Sequence, residues 1–379
     1  MNIAFKFITE ILTKYENRNI VVLGIGHKAI AVCNYLKAIQ KQSKISFLAK
    51  LPNEDQNVVS EEFVIRNAYD ILYFVETTIV IIANDYIDDS ITFLNNLSGE
   101  IVYEIWKFDT AKSCDYIDPL LGYSRKDDLS GYSVYRGEQN QAKILVLGGS
   151  TSDHTFDGIR SWPYFLYNIL NKKVTIFNGG IVGYNSSQEL LKLCRDISTI
   201  HPDMVISYSG INDCYRGTMD FDHPYTSPFY RMTIERMFKN ENNIQSPFTA
   251  NCVLNYGLDN KMPPCQTWIE NERKMYGICN SIGVIFLGIF QISLFSTGYL
   301  IQDEEIKYLY CRHSKRAIDE YFSNVQYIEQ YINHCTEKYL YSFHHMIQNC
   351  NSLFYDHCHG GEELNEIIAK NVYSIIKSI

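Results

Sequence analysis

The chain has no excess of basic residues, no Cys-x-x-Cys pair, no long apolar run, no internal repeat and no low-complexity tract. Lys and Arg total 34 against 43 Asp and Glu, a formal net charge of −9 over 379 residues. An acidic chain repels phosphate backbones, so nucleic acid is not expected as a partner. The 11 cysteines are odd in number and irregularly spaced, which excludes zinc-ribbon and thioredoxin-like readings. Scattered thiols fit a reducing compartment, and a cytoplasmic location is the expectation. The longest apolar stretch, residues 282–290, falls far short of the ~20 residues a membrane helix needs, so no membrane span is expected. The first fifteen residues are interrupted by charges and lead to no small-residue cleavage site, unlike a signal peptide.

What is present is ordinary for a globular protein, 46% hydrophobic and 20% charged. At about 150 residues per domain the length suggests two or three domains. The 29 tyrosines read as core and pocket material, with carbohydrate stacking as an alternative use.

Strand and helix patterns alternate over the first hundred residues. Residues 19–24 (NIVVLG) form a β-branched run ending in glycine, and residues 28–40 carry Ala29, Ile30, Val32, Cys33, Tyr35 and Leu36 at helical spacing. Further strands are expected at 44–48, 78–83 and 100–103, with a helix at 88–97. The run 78–83 (TIVIIA) is apolar throughout, as in a strand covered on both faces. Such alternation implies a parallel sheet. Gly24-Ile25-Gly26-His27-Lys28-Ala29 resembles a Gly-x-Gly-x-x-Gly/Ala nucleotide-binding turn, which makes Gly24 and Gly26 the candidate cofactor-binding positions. The acid expected about 20 residues further on is missing, because the second strand ends in Ala49-Lys50, and no cofactor is assigned. His27 reads as a solvated helix-start residue. Residues 1–118 are taken as a Rossmann-like α/β domain, similar to modules found beside sugar-modifying transferases.

Residues 119–141 are polar and break the rhythm, and they read as a connection between domains. A second βα series fills 142–379. Strands are expected at 143–147, 174–177, 204–208 and 283–289, with a short one at 353–356. Helices are expected at 162–171, 187–199 and 362–378. Residues 215–275 are aromatic, Asn-rich and without clear period, and they read as a functional insertion.

Four loops follow strands of this series, where open parallel sheets form their ligand crevice. Gly148-Gly149-Ser150-Thr151 sets a hydroxyl on a glycine-permitted turn; an N-cap serine or phosphate loop is the competing reading. Residues 178–186 (NGGIVGYNS) offer glycine N–H groups, from Gly180 or Gly183, or a plain βα turn. Gly210-Ile211-Asn212-Asp213 offers an amide that can donate to an oxyanion, or an Asx-turn. Asp356-His357-Cys358-His359 places a carboxylate and an imidazole three apart. A carboxylate accepting from Nδ1–H fixes the ring tautomer and leaves Nε2 to take a proton from a serine. The same run can be read as a His/Cys/Asp metal cluster or a polar surface loop. Asp220 with His223, and Asp153 with His154, are rival acid–histidine pairs.

Together and in this order, GGST, NGGIVGYNSSQEL, GIND and DHCH resemble the four blocks of the SGNH (GDSL-type) hydrolases, over about residues 142–379. The resemblance implies a flavodoxin-like three-layer α/β/α domain with a parallel sheet. It implies Ser150 as nucleophile, His359 as base and then acid, and Asp356 as its orienting carboxylate. The Ser150 and Gly183 N–H groups and the Asn212 side chain would form the oxyanion hole. One departure is visible: the Asp and Leu of a GDSL block are Gly149 and Thr151 here, which argues against the lipase branch. The expected activity is a serine esterase that removes a small acyl group, such as acetyl, from a carbohydrate or similar ester. Tyr215, Tyr225, Phe229, Tyr230, Trp268 and Tyr276 are candidate sugar-stacking residues. The alternatives are an O-acyltransferase using the same triad, a nucleotide-binding scaffold with a degenerate hydrolase domain, and a metal protein using His357, Cys358 and His359. No metal is assigned, and an oligomer is compatible with the sequence.

Overall fold

A computed structural model describes residues 5–6, 14–25, 29, 32–33, 36, 44–52, 64–74, 78–83, 87–97, 101–106, 118, 120–125, 128–129, 131–137, 141–154, 159–216, 262–303, 305–306, 314–351 and 353–379. The chain is α/β, with two six-stranded sheets.

The first sheet holds β1 (Phe5–Lys6), β2 (Asn19–Leu23), β3 (Ile45–Lys50), β4 (Ile65–Asn67), β5 (Thr78–Ile82) and β6 (Tyr103–Trp106). They lie in the order β1-β6-β5-β2-β3-β4, and every pair is parallel. From β2 outward the order reverses direction, as in doubly wound sheets. All five residues of β5 are buried, as its unbroken apolar run requires. Ala29, Val32, Cys33 and Leu36 are helical and buried, the face expected from their spacing. Helix α1 spans Ile87–Asn96. The strand expected at 100–103 sits at 103–106, because pairing with β5 and β1 decides its bounds.

The second sheet holds β7 (Ser133–Tyr135), β8 (Lys143–Gly148), β9 (Thr175–Asn178), β10 (Met204–Ser209), β11 (Ile285–Phe290) and β12 (Leu340–Ser342). Their order is β12-β11-β10-β8-β9-β7. Read from β9, this is the flavodoxin-like 2-1-3-4-5 order expected of it. The sheet is not wholly parallel, however. β7 pairs antiparallel with β9, so part of the segment read as a connection is an edge strand of this sheet. Three residues are too few for a period-2 pattern to reveal, and β1, β4 and β12 escaped for the same reason.

Among the described residues, six helices flank the second sheet: α2 (Trp162–Ile169), α3 (Ser186–Ile200), α4 (Ile211–Arg216), α5 (Pro264–Ser281), α6 (Lys315–His334) and α7 (Glu362–Ser378). Side chains alternate along β8. Ile144 and Val146 join a core with Trp162 and Leu166 of α2 and Ile368 and Val372 of α7. Leu145 and Leu147 pack on the other face with Leu193 and Ile197 of α3 and Met275 and Cys279 of α5. Three layers result, helices on both sides of the sheet. Part of the stretch expected to be irregular is therefore helical, since α5 starts at Pro264, a residue suited to a first helical turn. Residues 353–356 form no strand; Phe354 instead makes an antiparallel bridge with Gly360 and closes a loop.

Candidate active site

Strand β8 ends at Gly148, and the chain turns at once. Ser152 and Asp153 N–H both donate to Gly149 O, at 3.1 and 3.2 Å. This turn lifts Ser150 over the carboxyl end of the sheet. Gly149 is there for space: a Cβ would lie 2.7 Å from Asn212 Nδ2 and 3.2 Å from Tyr184 O. In this chain the Asn212 amide rests directly on the turn.

The second component comes from the loop closed by the Phe354–Gly360 bridge. Asp356 Oδ1 accepts N–H bonds from Cys358 and His359, both at 2.8 Å. Asp356 Oδ2 meets His359 Nδ1 at 2.6 Å, and His359 Nε2 meets Ser150 Oγ at 2.6 Å. The three side chains are buried. Burial pushes the Asp356 carboxyl up, but the His359 and His357 rings and the hydrogen bonds outweigh it and hold the pKa far below the usual carboxylate range. Burial pulls His359 down, and the Asp356 charge more than reverses this, so its pKa stands well above that of a free imidazole.

Asn212 opens α4, just after Gly210, whose φ of +109° places it in the region glycine favours. Asn212 Nδ2 donates one hydrogen to Tyr184 O at 2.8 Å, which fixes the amide and leaves its second N–H for another acceptor. Gly183 lies in the loop between β9 and α3 with φ of +76°. Among the described residues, no acceptor is bonded to the N–H of Ser150 or Gly183. Gly180 differs. Its N–H is spent on Asn178 Oδ1 at 3.1 Å, and a Cβ there would meet Ser152 at 2.6 Å. Its role is close packing.

The Asp153 carboxylate forms an ion pair with Arg125 and accepts from Val182 N at 3.1 Å. The His357 ring stacks on Tyr215, centroids 5.1 Å apart. Gly26, His27, Asp220 and His223 lie outside the described residues, as do Tyr225, Phe229 and Tyr230. Gly24 is described, with φ of +134° at the end of β2. Of the expected sugar-stacking aromatics, Tyr215 and Trp268 are buried in the core and offer no platform. Tyr276 has one face covered by Tyr339 at 3.9 Å. Donor atoms of Asp356, His357 and Cys358 lie within 4.8 Å of one another, so soft-metal ligation has the right residue types. Against this fit, both Asp356 oxygens already accept, from two backbone N–H groups and the His359 ring.

Sequence reasoning missed Tyr123 and Arg125, which it placed in a connection. Both are buried against the Gly183 loop. A pocket beside Ser150 is walled by Ile159, Tyr355, Gly360, Leu364 and Ile368. Among the described residues, no helix is long and apolar enough to cross a membrane.

No protein-family model matches the sequence, and no curated protein does. Solved structures do. The chain is similar to a GDSL-like lipase from Bacteroides thetaiotaomicron VPI-5482, at 13% identity over 64% of this chain and 91% of the other, TM-score 0.38. It is similar to an acetylxylan esterase from Geobacillus stearothermophilus, at 16% identity over 62% and 92%, TM-score 0.35. A third is a gut microbial diltiazem-metabolizing enzyme, at 14% identity over 63% of this chain, TM-score 0.35; the match spans 47% of that enzyme, about half its length.

Proposed function

We propose that this chain is a serine ester hydrolase of the SGNH type, working through an acyl-enzyme on Ser150. The observation that carries the reading is the His359 ring, held 2.6 Å from Ser150 Oγ on one side and 2.6 Å from Asp356 Oδ2 on the other. A serine hydroxyl is a weak nucleophile until a base takes its proton. His359 Nε2 takes it as Oγ attacks the ester carbonyl, and Asp356 stabilises the imidazolium without accepting the proton. The carbonyl oxygen becomes an oxyanion, for which the Ser150 and Gly183 N–H groups and the second Asn212 N–H are the candidate donors. Collapse breaks the ester bond, and His359 returns the proton to the leaving alcohol. Water then attacks the acyl-enzyme by the same steps and releases the acid.

The acyl half of the substrate is a small group such as acetyl, and its candidate seat is the pocket beside Ser150, where Ile159, Leu364 and Ile368 meet Thr151, Ser161 and Asn365. The alcohol half, a carbohydrate or comparable polar alcohol, rests on the likeness of the first region to modules beside sugar-modifying enzymes.

The test is Ser150-dependent turnover of p-nitrophenyl acetate, butyrate and octanoate, beside acetate release from an acetylated xylo-oligosaccharide. Acetyl esters should be preferred over octanoyl. No Ser150-dependent turnover of any short acyl ester would overturn the reading. If added sugar accelerated p-nitrophenol release while acetate release fell, an alcohol and not water would resolve the acyl-enzyme.

A further inference from the structure

The segment that runs into the second sheet does more than join two regions. Gln188 Nε2 of α3 donates to Leu121 O at 2.7 Å, and Lys192 Nζ donates to Gly131 O at 2.9 Å. Between these anchors the segment grips the Gly183 loop. Tyr123 Oη donates to Val182 O at 2.8 Å, and Tyr184 Oη donates back to Tyr123 O. Arg125 forms an ion pair with Asp153, whose other oxygen accepts from Val182 N at 3.1 Å. Tyr123, Arg125, Asp153 and Tyr184 are all buried. Val182 is therefore bonded at both its N–H and its C=O. Its partners come from the turn after Ser150 and from the segment before the sheet.

The consequence follows from peptide geometry. Val182 C=O and Gly183 N–H belong to one planar trans peptide, so they point in opposite directions. A donor on the carbonyl oxygen sets the rotation of that plane and hence the direction of the N–H. Tyr184 N–H on Ile181 O at 3.1 Å closes a turn around this peptide, and glycine at φ of +76° tolerates either orientation of the plane within such a turn.

We propose that Tyr123 is a positioning residue for the oxyanion hole: its hydrogen bond to Val182 O aims the Gly183 N–H, and the Arg125–Asp153 pair holds the preceding peptide. The proposal rests on the ester hydrolase reading. Tyr123 touches no reacting atom; it acts through one peptide plane. A misaimed donor costs transition-state stabilisation and leaves ground-state binding alone, so the loss falls on kcat.

The test is Tyr123→Phe beside wild type, with a fluorophosphonate probe and p-nitrophenyl acetate. Removing a whole oxyanion donor costs about 10²- to 10³-fold in kcat; a misaimed one should cost less, about tenfold to hundredfold. The expected result is a fall of that size in kcat and in the labelling rate. KM should hold within about twofold, the pH profile should be unchanged, and the labelling end point should stay at one adduct per chain. Should Tyr123→Phe fail to fold, Tyr184→Phe removes the reciprocal bond and should give the same signature at smaller size. Wild-type kcat and labelling rate in the folded variant would overturn the proposal. So would an end point that falls in proportion to kcat, because that marks lost protein and not a misaimed group. Absence of labelling in the wild type would overturn the ester hydrolase reading, and this proposal with it.

Discussion

Two groups of carboxylates are buried near the second sheet, and burial treats them alike. Asp356 is at 0% exposure; so are Glu189 of α3 and Glu272 of α5. Their ionisation is opposite. Asp356 faces three N–H donors and stays charged far into acid. Glu189 and Glu272 face each other across Ser207 of β10, whose hydroxyl lies 3.0 Å from one and 2.8 Å from the other. The one Ser207 hydroxyl proton cannot serve both at once. Burial, with the Asp213 charge adding to it, pushes Glu189 up to about 8; burial and the Glu189 charge push Glu272 well up also. Charge follows the supply of donors, not depth. At the proposed site, donors are gathered around atoms that must be or become negative: Asp356 and the oxyanion. Around the glutamates, where among the described residues only serine hydroxyls are supplied and no N–H donor or cation faces them, burial prevails and favours the neutral acid.

Withdrawing the charge from the first group should have the largest effect. Asp356→Asn leaves the loop's shape but removes the anion behind His359, and kcat should fall on the order of 10⁴-fold. In the wild type, activity requires neutral His359, so kcat/KM should rise with pH along a limb centred above about 6.5, the free imidazole value. In Asp356→Asn the residual limb should move to lower pH. A limb that stays in place would mean that Asp356 does not set the ionisation of His359.

Removing a donor from the oxyanion side should cost less. Asn212→Ala should lower kcat by about 10²- to 10³-fold with the fold intact. A near-normal rate would take Asn212 out of the site and leave its bond to Tyr184 as its whole role.

Supplying a donor to the second group should have the smallest effect, on stability alone. Glu189 has a folded pKa of about 8 against 4.5 for a free side chain. The folded state therefore holds the extra proton, and stability is full below about 4.5 and declines as pH rises towards 8. Glu189→Gln and Glu272→Gln should each flatten the fall in Tm across that window. An unchanged slope in both variants would mean that neither acid is protonated in the folded protein.

The sequence made Ser150, the proposed nucleophile, and the Asp-x-x-His pair visible because both lie in short contiguous runs at the carboxyl end of the sheet. Central strands such as β5 and β10 were visible because burial on both faces leaves an unbroken apolar run. The clasp of Tyr123, Arg125 and Asp153 was hidden for a physical reason. Its partners are distant in sequence, 59 residues apart for Tyr123 and Val182, and a buried Arg–Asp pair looks polar until the fold encloses it. Gly149 reads in sequence as a departure from a pattern, and only the fold shows how closely Asn212 and Tyr184 approach it. Two of the expected sugar-stacking aromatics, Tyr215 and Trp268, serve the core instead, since composition alone does not tell a packed ring from an exposed one.

The central claim is that Ser150 is an activated nucleophile. Intact-protein mass spectrometry after a fluorophosphonate probe tests it most directly, with wild type beside Ser150→Ala. The account predicts one adduct on the wild type and none on Ser150→Ala. An unlabelled, folded wild type, or a variant labelled as fully as wild type, would contradict it.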